Sequence, residues 1–137
     1  MTENEIAKII VDVGIKIHSA LGPGLYEEVY EKILHHELIK RGLSVESQVP
    51  LPVLWDDMKI DLAYRIDMVV EKKVVIELKS VETLTSVHFK QIQTYLKLTG
   101  RKLGLLINFN ESLLRDGLRR IANGLRHTFL PLLCVFA

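Results

Sequence analysis

Two short runs of branched apolar residues, Tyr64–Val70 and Val74–Lys79, flank the charged tripeptide Glu71-Lys72-Lys73. Runs of this kind separated by a short polar turn form a β-hairpin. In the second run, Val75, Glu77 and Lys79 share one face and Val74, Ile76 and Leu78 share the other. Both faces begin apolar, so the strand is expected to be central and largely buried. A carboxylate and an ammonium then meet at its end, where a buried charge needs a partner or a metal ion. With a three-residue turn Val70 pairs with Val74, and counting back along both strands sets Asp67 opposite Glu77, with Cβ atoms about 5 Å apart. Two carboxylates at that spacing repel, and a divalent cation between them reverses the effect. Oxygen ligands favour Mg²⁺ or Mn²⁺. A two-residue turn would send Asp67 to the far face and abolish the site. Taken alone, Asp67 with Glu-x-Lys reads more readily as a plain Glu77–Lys79 surface ion pair on an edge strand, because short acidic patterns are common.

The flanking sequence supplies the layers around this hairpin. Ile6, Ile9, Ile10, Val13, Ile17, Ala20 and Leu21 recur at helical spacing, and Thr2 with Glu5 forms a capping-box pattern, so a helix is expected over residues 3–21. Gly22-Pro23-Gly24 ends it. A second helix follows over Tyr26–Arg41, with Gly42 as its stop. The spacing then turns to period two at Val45, Val49, Leu51 and Val53, where Pro50 and Pro52 mark an edge strand. Trp55-Asp56-Asp57-Met58 reads as a turn into a strand over Lys59–Val70. Beyond the hairpin come a helix over Ser86–Leu98, capped by Thr85 or Ser86 and stopped by Gly100, and a buried strand over Lys102–Phe109. A further helix over Leu113–Leu125 and a terminal strand over Thr128–Ala137 complete the expectation. The 137 residues suit one domain over residues 1–137, without linker or internal repeat.

Composition excludes several classes. A single cysteine, Cys134, cannot form an internal disulfide and reads as a small core residue. The acidic start Met1-Thr2-Glu3-Asn4-Glu5 is unlike a signal peptide, and no apolar stretch approaches the ~20 residues of a membrane helix. The expected compartment is the cytoplasm, with no membrane partner, and nothing calls for a homo-oligomer. The scattered His18, His35, His36 and His127 lack zinc-site spacing, and no Gly-rich phosphate loop is present. Net charge is only +1, but residues 1–84 carry 10 Lys/Arg against 15 Asp/Glu, and residues 85–137 carry 8 against 2. An acidic half for cations beside a basic half for phosphates suits a metal-dependent phosphodiester enzyme; chance clustering of solvated charge gives the same count.

Two further patterns complete the reading. Gly24, Glu27 and Tyr30 have the spacing G-x-x-E-x-x-Y, and Gln91 and Tyr95 have Q-x-x-x-Y on the helix after the hairpin. With Leu21–Leu25, Asp67, Glu77-Leu78-Lys79, His88 and Leu105–Phe109 in order, the chain resembles the GxxExxY proteins from about Val11 to Ile121. That group is assigned to the PD-(D/E)XK nuclease superfamily, in its lambda-exonuclease and RecB-like branch. The resemblance implies an α/β restriction-endonuclease-like αβββαβ core, a mixed central sheet flanked by helices. It also implies that Asp67, Glu77 and Glu27 bind the metal, that Lys79 is the catalytic lysine, and that Gln91 and Tyr95 line the site and contact substrate. Ile66 stands where the superfamily motif has Pro.

Read from the residues alone, Glu27 also serves as a first-turn acid complementing its helix dipole, Tyr30 as core, Gln91 as a solvated residue and His88 as structural. Three functions follow: a Mg²⁺-dependent nuclease acting on DNA through metal-activated water, a non-cleaving nucleic-acid-binding module that retains the fold, and an interaction protein whose acids hold a structural cation.

Overall fold

A computed structural model describes residues 1–124, apart from the side chains of Leu62 and Ala63. The first helix, α1 (Glu3–Leu21), starts as the capping pattern predicts: the Glu5 amide donates to Thr2 Oγ1 at 3.2 Å and the Thr2 amide to Glu5 Oε2 at 3.3 Å. Its stripe of Ile6, Ile10, Val13 and Ile17 is buried. Gly22, at φ 68°, ends it in a backbone region that costs glycine little. Helix α2 (Glu27–Lys40) buries only Tyr30, Leu34 and Leu38, a narrow stripe laid on the core.

Strands β1 (Val45–Trp55), β2 (Met58–Val70), β3 (Val74–Lys79), β4 (Leu103–Asn108) and β5 (Leu118–Ala122) lie side by side in that order. Neighbours are antiparallel except β3 and β4, which run parallel. A parallel pair needs a crossover, and helix α3 (Ser86–Thr99) supplies it. Helices α1 and α2 cover one face, packing on Met68, Val70, Ile76, Leu78, Leu105 and Ile107. Helix α3 covers the other with Ile92, Tyr95 and Leu96 against Val69, Val75 and Leu106. Covered on both sides, β3 and β4 carry near-continuous apolar runs instead of alternation. At Gly104 in β4 the helix comes so near that an added Cβ would lie 2.8 Å from Ile92 Cδ1.

The expected helix over Leu113–Leu125 is absent. Leu114–Gly117 forms a single 3₁₀ turn, and the chain then enters β5, pairing antiparallel with β4 from Ile107↔Leu118 to Leu103↔Ala122. Gly117 weakens a helix at its centre, and the exposed edge of β4 offers a full ladder of backbone partners. The expected strand over Thr128–Ala137, with Cys134, lies outside the described residues.

One irregularity matters for the site. Val45 packs on the α1–α2 side, whereas Val49 and Leu51 pack on the α3 side; on β2, Met68 and Ile66 divide the same way. Residues an even number apart should share a face. The pleat therefore slips in both strands at one rung, between Ser47↔Met68 and Val49↔Ile66. The residues at that rung are Gln48, with a left-handed φ of 53°, and Asp67.

Candidate active site

Pairing between β2 and β3 runs Val70↔Val74, Val69↔Val75 and Met68↔Ile76, as a three-residue turn requires. The next rung would be Asp67 with Glu77, and there the backbone ladder stops. Side chains replace it. The Asp67 amide donates to Glu77 Oε1 at 3.0 Å, and the Leu78 amide donates to Asp67 Oδ2 at 2.9 Å. The pleat slip turns Asp67 toward Glu77 in the seam between the parting strands, where the two acids satisfy amides that would otherwise be orphaned. Glu77 is 2% exposed. Burial, then the charge of Asp67 and a hydrogen bond between the two carboxyls, raise its pKa to about 8; the Asp67 amide and the Lys79 charge pull the other way.

Around this pair the elements contribute from both faces. From α3, Tyr95 is buried beside Glu77, and its phenol is pushed up first by burial and then by the Glu77 charge. Gln91 Nε2 donates to the Tyr95 hydroxyl at 2.9 Å, one helical turn away, and the Tyr64 ring meets Tyr95 edge-on at 6.2 Å. At the end of β3, Lys79 is half-buried and makes no ion pair among the described residues. With Glu77 buried on a central strand, an exposed Glu77–Lys79 pair on an edge strand does not exist.

From α2, Glu27 approaches the other side. Its Oε1 accepts from the Ser80 amide at 3.0 Å, just past Lys79. Glu27, Tyr26, Glu31, Gln48, Asp67 and Ser80 line a cleft of about 1000 Å³. Glu31, Gln48 and Ser80 were not singled out from the sequence. Glu31 lies four residues after Glu27 and so shares its helix face, a spacing from which the sequence could have revealed it. Its carboxyl is held by Gln48 Nε2 at 2.8 Å, and its pKa is raised by burial, with Asp67 adding to the rise and the Gln48 bond opposing it. Gln48 and Ser80 are placed by the slip and by the strand end, and neither has a pattern in the chain. His88 is structural: its Nδ1 accepts from the Thr85 amide at 3.0 Å at the start of α3.

The structure thus joins Asp67 to Glu77 and sets Lys79, Gln91 and Tyr95 near them, while Glu27 faces the same cleft as Asp67 but is bonded to Ser80. Among the described residues no three His, Cys, Asp or Glu side chains form a ready-made metal site. The donor chemistry nonetheless fits a hard divalent cation: two adjoining carboxylates, one so disfavoured as an anion that it holds its proton to about pH 8.

A mixed sheet with a helical crossover, whose central hairpin carries an acidic pair followed by a lysine, is the framework of a metal-dependent nuclease. The chain belongs to the PD-(D/E)XK nuclease superfamily, whose family model matches residues 4–121. Membership implies hydrolysis of phosphodiester bonds in nucleic acid with a divalent metal ion. No functionally curated protein and no solved structure matches the chain. Among the described residues no helix is long and apolar enough to cross a membrane.

Proposed function

We propose that this chain is a Mg²⁺- or Mn²⁺-dependent deoxyribonuclease of the GxxExxY group, in the lambda-exonuclease and RecB-like branch, acting in the cytoplasm as one domain over residues 1–137. The observation that carries the reading is the bonding of half-buried Asp67 to buried Glu77, with Lys79, in no ion pair among the described residues, at the end of the Glu77 strand. Asp67 and Glu77 hold the ion, with Glu27 completing the set from α2. Bound there, the cation supplies a Lewis acid for the phosphate and lowers the pKa of a water. Lys79 places an ammonium where it can orient that water or offset charge developing on the phosphate. Gln91 and Tyr95 line the site from α3 and contact the DNA backbone.

The test is cleavage of DNA and RNA oligonucleotides and plasmid with Mg²⁺ or Mn²⁺, wild type beside Lys79→Ala. The expected result is metal-dependent DNA cleavage, lowered about 100-fold or more in the variant with its circular dichroism unchanged. Absence of cleavage with every substrate and ion overturns the proposal. One observation favours a second reading, a nucleic-acid-binding module that does not cut: Glu27 is engaged by Ser80 and not by the acidic pair. That reading predicts gel shifts without cleavage, weakening steeply with salt.

A further inference from the structure

Glu27 stands in the first turn of α2, yet the N-cap residue, Tyr26, is 85% exposed and makes no side-chain cap. The helix start therefore lacks a cap from its own N-cap side chain. The fixing group comes from one turn further on. Tyr30 is fully buried, its ring stacked on Phe109 with centroids 4.3 Å apart and planes 9° apart. Its hydroxyl donates to the Gly22 carbonyl at 2.5 Å and accepts from the Leu25 amide at 3.2 Å. One phenol therefore clamps both ends of the strap 22–25, whose Gly24 sits at φ 107°. The strap is tied in turn to the catalytic strand: Ser80 Oγ donates to the Leu25 carbonyl at 3.1 Å, and the Ser80 amide holds Glu27. Phe109 closes the circuit, its amide donating to the Lys79 carbonyl at 2.9 Å.

A phenylalanine would fill the same core space and keep the stack, so packing alone does not account for the hydroxyl. Its two partners are both in the strap, and a fully buried hydroxyl with two backbone partners is a positional constraint. We infer that Tyr30 is a positioning residue: through its phenol, the strap and Ser80, it sets the distance between Glu27 on α2 and the Glu77–Lys79 end of β3. The inference rests on the nuclease reading for its catalytic consequence, and on geometry alone for the latch.

The experiment compares wild type with Tyr30→Phe and Ser80→Ala, each removing one link. Three quantities are measured: amide hydrogen exchange at Leu25 and Ser80, Mn²⁺ affinity by calorimetry, and the separate kcat and KM for oligonucleotide cleavage. In both variants the two amides should exchange about tenfold faster, as local opening becomes easier. Mn²⁺ affinity and kcat should each fall about tenfold or more, as they do when a supporting contact of a metal site is lost, with KM for DNA unchanged. If melting falls while exchange at the strap and Mn²⁺ affinity stay at wild-type values, Tyr30 is core only and the inference is overturned. Should wild type cut nothing, the nuclease reading fails by that result, and exchange with Mn²⁺ affinity still decides the latch. Should Tyr30→Phe not fold, Ser80→Ala, at a half-buried position, carries the same comparison.

Discussion

Replacing Glu77 by glutamine should make the metal-free protein more stable while abolishing its activity. Folding lifts the Glu77 pKa from its ordinary 4.5 to about 8. The sign follows from linkage. Below pH 4.5 the carboxyl is protonated in both folded and unfolded chains, and nothing is lost. Between 4.5 and 8 the folded chain holds a proton that the unfolded chain releases, so stability falls as pH rises, by about 1.4 kcal/mol per pH unit. Above 8 the loss is complete, at most about 5 kcal/mol, comparable to the whole stability of many domains. Glutamine keeps the shape, its Oε1 can accept the Asp67 amide, and its NH₂ can donate to the Asp67 carboxylate, with no charge to bury. Urea unfolding of both proteins at pH 5, 7 and 9 in a chelator measures the difference, which cancels groups titrating alike in the two chains. The variant should gain on wild type from pH 5 to about pH 8 and then level off, several kcal/mol ahead at pH 9, with an unchanged m-value. Stability profiles that stay parallel from pH 5 to 9 would refute a Glu77 strained by its burial beside Asp67.

The scaffold yields two further expectations. Ile76→Ala, on β3 under α1 and α2, should cost about 2–5 kcal/mol in chemical denaturation, since the site is fully buried and walled by regular elements. Gly104→Val should cost about 1–3 kcal/mol in the same assay by pushing Ile92 and Leu96 away from the sheet, and pairing it with Ile92→Ala should recover part of that loss.

What the sequence disclosed and what it hid divide by range. Helix α1 was legible to the residue because its signals are local: Thr2, Glu5 and Gly22 act within a turn of themselves. The hairpin register was legible because Glu71-Lys72-Lys73 fixes it, and the superfamily was legible from spaced residues read in order. The helix expected at Leu113–Leu125 was a misreading: Leu114, Leu118 and Ile121 happen to fall at helical spacing, but the open edge of β4 decided for a strand, and that edge is invisible in the segment itself. The seam geometry was also out of reach. Strict alternation sets Asp67 and Glu77 side by side on one face, whereas the slipped rung that pairs Asp67 with a left-handed Gln48, distant along the chain, turns Asp67 into the seam. Tyr30 read as core, which it is; its hydroxyl's partners lie in a loop whose path only the fold defines.

The slipped rung at Gln48 and Asp67 has a consequence for how such a chain can vary. Where alternation is regular, a site side chain keeps its direction so long as the residue itself is kept. Here its direction is a matter of counting. Removing one residue from β1 near Gln48 together with one from β2 near Asp67 would let the pleat run true and swing the acid out of the seam, with the rest of the acidic site still present. At this rung the chain's length shapes the acidic pair as much as its chemistry does.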